Sequence, residues 1–136
     1  MELAYVFLAK FADTATDGTL SLVGVGFDTV TTPTLPVLVP AITVIARVLV
    51  SPDECEREHN LRGELFCPDE VNPRATADLR FTPRLDPSRP NRPVGVNCIM
   101  GWLGLAFAEQ GEFEFRLSIG GRPLGRTTLS VIHRPA

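Results

Sequence analysis

Hydrophobic and polar residues alternate most cleanly near the end of the chain, where Phe113, Phe115, Leu117 and Ile119 take every second position against Glu112, Glu114, Arg116 and Ser118. A period of two belongs to a strand with one buried and one wet face, because successive side chains leave a pleated backbone on opposite sides. Gly120 and Gly121 follow, two adjacent residues tolerant of positive φ, as a tight hairpin turn requires. Thr127, Leu129 and Val131 then alternate with Arg126, Thr128 and Ser130, so residues 111–132 predict an antiparallel hairpin with its aromatic side inward.

Three other runs are apolar on both parities, as strands covered on both faces would be: Leu3 to Ala9, Ala41 to Val50 and Val94 to Phe107. The last also admits a helix from Val96 to Ala108, but Gly95, Gly101 and Gly104 would each cost about 1 kcal/mol in a helix interior, which favours a strand. Asp17-Gly18 marks a hairpin turn, with Leu20 to Phe27 as the returning strand and Gly24 and Gly26 as a bulge within it. A phosphate-cradling role for Gly24-Val25-Gly26 lacks both a third glycine and a following helix.

Pro33, Pro36 and Pro40 rule out a long helix between Asp28 and Pro40, leaving an extended crossover. Ser51-Pro52-Asp53-Glu54 has the cap, the N1 proline and the early acids of a single helical turn. His59 to Phe66 and Ala75 to Phe81 read as half-exposed strands, and the four prolines between Pro83 and Pro93 make a stiff, Arg-bearing loop. The sum is about eight strands in one all-β domain over residues 1–136, an antiparallel two-sheet β-sandwich of Greek-key or jelly-roll kind.

Composition narrows the function more than it defines it. A formal charge of -3 and a pI near 5.3 give none of the basic excess that nucleic acid attracts. Lys10 is the only lysine among thirteen basic residues, a bias that points to a GC-rich bacterial genome. No basic region or cleavage site flanks the first apolar run, and Pro36, Pro40 and Arg47 interrupt the other long one. No signal peptide and no membrane partner are expected. Cys55, Cys67 and Cys98, odd in number and irregularly spaced, suit free thiols in the cytoplasm.

Candidate chemistry is thin. Cys55, His59, Cys67 and Cys98 supply the types for a zinc site but none of the paired Cys-x2-4-Cys knuckles, so no zinc and no cofactor are expected. Asp53, Glu54, Asp69 and Glu70 lie in two loops that a hard cation would need to bring together. His59 and His133 are the only imidazoles; the acids around Cys55 oppose a reactive thiolate, and Glu112 with Glu114 looks like a solvated face rather than a glycosidase pair. Arg80, Arg84, Arg89 and Arg92 form an Arg-rich stretch, of which Arg84, Arg89 and Arg92 are the candidates for gripping an anion.

The closing run Phe107 to Gly121 resembles the ending of many β-sandwich modules. The opening, with Leu3 to Ala9, Asp13, Asp17-Gly18 and Gly24-Val25-Gly26-Phe27, is similar to a family of small uncharacterised bacterial β-sandwich proteins of unknown function. That resemblance implies fold and bacterial origin and carries no catalytic residues. The expected function is therefore non-catalytic, exercised through a protein interface as a homodimer or assembly subunit, with Tyr5, Met100 and Trp102 contributing. The alternative is a small-ligand or carbohydrate-binding module with its site among the loops and Trp102 or Tyr5 as its stacking residue; a hydrolytic enzyme comes third.

Overall fold

The computed structural model describes residues 1–136, all of them outside helices apart from one short turn. The strands are β1 (Glu2–Ala9), β2 (Phe11–Thr14), β3 (Leu20–Val23), β4 (Thr29–Thr32), β5 (Val37–Val50), β6 (His59–Phe66), β7 (Ala75–Phe81), β8 (Val94–Phe107), β9 (Gly111–Ile119) and β10 (Arg122–His133). They form a three-stranded sheet in the order β1-β5-β8, a five-stranded sheet in the order β4-β10-β9-β6-β7, and the separate pair β2-β3. The all-β class is as the alternation predicts, with ten strands in three sheets where about eight in two were expected.

The closing hairpin forms as read. Leu129 pairs with Phe113 and Thr127 with Phe115, and Gly120 and Gly121 turn the chain at φ 57° and 79°. The same β9 pairs with β6, so Phe113, Phe115 and Leu117 reach the core from the middle of a sheet. Val94 to Phe107 is a single strand, in register with β5 along its length.

The two short extra strands account for the difference in count. Of the expected crossover, Thr29–Thr32 lies parallel to Ser130–His133, so the sheet is not wholly antiparallel. Its β-branched residues suit an edge strand, and Asp28 O takes the Ser130 amide at 2.8 Å. The strand expected from Leu20 to Phe27 stops at Val23, because Gly24 and Gly26 adopt φ of 72° and 85° and form a turn rather than a bulge. A Cβ on Gly24 would stand 2.7 Å from Lys10 Cγ, a second reason for glycine there.

The inward face of the three-stranded sheet changes parity along its length. Ile42, Val44, Ala46, Val48 and Val50 face the core with their β8 neighbours Met100 and Cys98, yet further along Val39 and Phe107 do so. The slip falls where Ala41 and Ile42 are both buried and Leu103 and Gly104, on the paired strand, are both exposed. The register between the two strands does not shift, so both change face together opposite Pro40 and Gly104, where Gly104 takes φ 69° and strict alternation from Cys98 to Phe107 is lost. Pro40 is tolerated inside β5 because β1 pairs only with Thr43 to Leu49 and the pairing with β8 passes from Val39 to Ala41 without it, so its missing N–H breaks no ladder bond.

Both large sheets feed one cluster, in which Phe107 meets Phe113 edge-on at 4.8 Å and Trp102 tilts against Phe115 at 5.2 Å. Ile45 is wholly buried outside that cluster, on the opposite face of β5. The β2-β3 hairpin lies along this face: Thr43 Oγ1 donates to Lys10 O at 3.1 Å near its root, and Asn97 Nδ2 donates to Gly18 O at 3.4 Å near its tip. That hairpin, not the Asp28 to Pro40 segment, explains why β5 is apolar on both sides. β1 has less need: only Leu8 and Ala9 of it are buried.

Candidate functional site

The loop between β7 and β8 carries three of the four arginines marked in the sequence into one place. Its course is set by local bonds. Asp86 accepts from the Ser88 hydroxyl (2.7 Å), the Ser88 amide (2.9 Å) and Arg89 Nε (3.0 Å), while Arg89 and Arg92 amides close successive turns on Asp86 O and Arg89 O. Glu56, at φ 63°, docks the loop to the β5-β6 connection by accepting the Leu85 amide at 2.8 Å and pairing with Arg84 at 3.5 Å.

Arg84, Arg89 and Arg92 line a cavity of about 400 Å³ together with Asp86 and Arg47. Arg80 stays on β7, outside it. Arg47 was not marked from sequence, although the signal was there: a lone charge interrupting the apolar run Ala41 to Val50. It is half-buried on the outer face of β5, donates Nη1 to Asn97 Oδ1 at 2.9 Å, and lies against Gly95, where a Cβ would collide with the guanidinium. Neither Arg47 nor Arg92 has a carboxylate partner.

A larger cleft, about 810 Å³, opens on the outward face of the five-stranded sheet between Arg62, Arg116 and Arg126. Its charges are already matched. Glu114 bridges Arg116 (3.1 Å) and Arg126 (3.0 Å), Arg62 sits 3.8 Å from Glu64 and 4.0 Å from Asp78, and Arg116 covers the Phe66 ring at 4.0 Å. Glu114 is thus engaged as the shared ion-pair acceptor of two arginines.

The exposed apolar surface lies elsewhere than expected. Met100 is 4% exposed and belongs to the core, and Trp102, half-buried, packs on Phe115 with its indole Nε1 buried and unpartnered, so neither is among the exposed large apolar side chains. Both are on the even, inward parity of β8, which sequence alternation alone does not orient. Tyr5 is 40% exposed, its ring 5.4 Å from Phe7 and its hydroxyl donating to Asn97 Oδ1 at 3.4 Å. The open apolar groove, about 380 Å³, is instead lined by Phe11, Phe27, Val30, Leu38 and Pro40. Phe11 and Leu38 are 57% and 63% exposed, and Val23, paired with Phe11, extends the patch.

The metal candidates do not assemble. Cys98 is in the core, His59 Nε2 is bonded to Glu54 O at 2.7 Å, and no three of Cys55, His59, Cys67 and Cys98 approach ligating distance. Asp53, Glu54, Asp69 and Glu70 are likewise not gathered. Glu54 Oε1 takes the Met1 ammonium at 2.9 Å and the Ser51 hydroxyl at 2.5 Å, so Ser51 caps no backbone amide of the Pro52–Glu54 turn as its sequence suggested. Glu70 comes within ligating distance of Cys67 and Glu109, but Arg74 already fills that place, 3.0 Å from Glu70 and 3.1 Å from Glu109.

A family model described as a family of unknown function (DUF6941) matches residues 4–132, which runs from β1 into β10. No curated protein and no solved structure matches the chain.

Proposed function

The chain belongs to that family of unknown function, and we propose that it is a non-catalytic, two-sheet β-sandwich protein of the bacterial cytoplasm acting through a protein interface, as a homodimer or as one subunit of an assembly. One observation carries this: Phe11 and Leu38 stand 57% and 63% exposed around an apolar groove that Val23 extends. Apolar surface gathered in one patch costs hydration free energy that a twofold contact recovers, and a second copy is the commonest partner for a small protein. Arginine in place of lysine and three free thiols support the bacterial and cytoplasmic setting. A core shared by the two large sheets supports the sandwich.

Sedimentation at micromolar concentration tests the interface. A dimer is expected, and Phe11→Asp with Leu38→Asp should release monomers near the chain mass of 14.8 kDa. A wild-type monomer at that mass would sink the homodimer, and a dimer indifferent to both changes would move the interface elsewhere.

A further inference from the structure

We infer that the cavity formed by Arg47, Arg84, Arg89 and Arg92 binds a small soluble molecule carrying a phosphate or pyrophosphate group. Four guanidinium groups line it, and Asp86 is the only anion among its lining residues. The whole chain carries -3, so the excess of cations belongs to this place and not to the composition. Gathering like charges is unfavourable, and a multivalent anion among them reverses the sign of the interaction.

The arrangement is prepared for such a ligand. Asp86 engages Arg89 through Nε and also accepts the Ser88 amide and hydroxyl, and it forms an ion pair with none of the other three arginines. Arg84 is shared with Glu56 at 3.5 Å, whereas Arg47 and Arg92 keep their guanidinium groups free of carboxylates. Arg47 is the only one of the four that is not exposed. Asn97 accepts its Nη1 and is itself tied to Tyr5 and Gly18, and Gly95 leaves the space the side chain occupies. Pro83, Pro87, Pro90 and Pro93 stiffen the loop opposite, which limits the entropy lost on binding.

Phosphate suits these donors because its oxygens accept the forked N–H pairs of guanidinium from several directions at once. The cations are confined to one cavity rather than spread along a face, which favours a compact anion over a nucleic-acid backbone. None of these residues lines the apolar groove, so the site stands or falls independently of the proposed dimer.

Titration calorimetry of the full chain with inorganic pyrophosphate in low-salt buffer tests the assignment. Saturable binding of one pyrophosphate per chain is expected, with inorganic phosphate weaker. Loss of one charge-assisted contact should weaken binding about tenfold in Arg47→Met and severalfold in Arg92→Ala. Arg126→Ala, in the cleft on the other sheet, should bind as wild type. Arg92 is exposed and makes no ion pair, so its substitution reads out the site even if Arg47→Met disturbs the fold. No saturable binding at millimolar pyrophosphate, an affinity unchanged by both substitutions, or an equal effect from sodium chloride at matched ionic strength would overturn the proposal.

Discussion

Cys98 is fully buried on β8, and the loss of hydration on ionising there pushes its thiol up to about 11; burial raises Cys55 and Cys67 as well, with Glu56, Glu54 and Asp53 adding to the shift at Cys55. All three should resist a thiol reagent at pH 8 in the native state and react together once denaturant unfolds the chain. A single fast-reacting thiol would contradict the burial. Because the folded Cys98 holds its proton above the pH at which an unfolded thiol loses it, the contribution to stability is full below about 9 and disappears as pH rises through about 11. Packing makes a second demand at this scale. Phe113 and Phe115 are wholly buried, and truncating either to Ala should cost about 3–5 kcal/mol in urea unfolding, whereas Leu103→Ala, at 83% exposure, should cost about 0.5 kcal/mol or less. Leu103 and Leu105 are the same letter on the same parity of β8; the change of face at Gly104 packs Leu105 against the core and leaves Leu103 outside.

At the scale of elements, the closing hairpin and the loop of residues 84–93 make contrasting demands. Gly120 and Gly121 both hold left-handed backbone in open space, so Gly121→Ala meets no neighbour and should still lose about 1 kcal/mol from the strained φ. A neutral result in thermal unfolding would mean that the turn relaxes. The loop and the Pro52–Glu54 turn are sensitive to acid. Ser88 and Arg89 lower Asp86 to about 2, and Ser51 with the N-terminal ammonium lowers Glu54 to about 2. Folded values below the unfolded ones mean that these contributions are present above about 4.5 and are lost as pH falls toward 2. Melting temperature should decline across that window, and Asp86→Asn should flatten part of the decline. The turn and the stiff loop were both legible in Gly-Gly and in the proline spacing. The approach of Arg47 to that loop was not, because it depends on β5 and β8 lying side by side.

Across the whole molecule, protection should follow coverage. β5 is the central strand of its sheet, with the shared core on one face and the β2-β3 hairpin on the other, so amides from Val44 to Val48 should exchange slowest of all. Thr29–Thr32 and Phe11–Thr14, short and on edges, should exchange fastest. Hydrogen exchange that found β5 no better protected than β4 would show that the hairpin does not stay closed over its outer face. Coverage also revises the inference from sequence that three doubly apolar strands demand a partner. Much of that surface is met within the chain, and what is left for a partner includes the groove around Phe11 and Leu38 and the outer side of β8 at Leu103.

Local chemistry was enough to determine the all-β class, the closing hairpin, the strands His59–Phe66, Ala75–Phe81 and Val94–Phe107, and the stiffness of the loop before the last of these, since alternation, paired glycines and proline act within a few residues of themselves. Tertiary structure alone decided which parity of β8 faces the core, which hairpin covers β5, and which arginines share a cavity. Each of these depends on register between strands that lie far apart in the chain, where a slip of one residue exchanges the inner and outer sets. For that reason Met100 lies in the core and Trp102 packs against it, and Arg47 came to stand beside Arg84, Arg89 and Arg92.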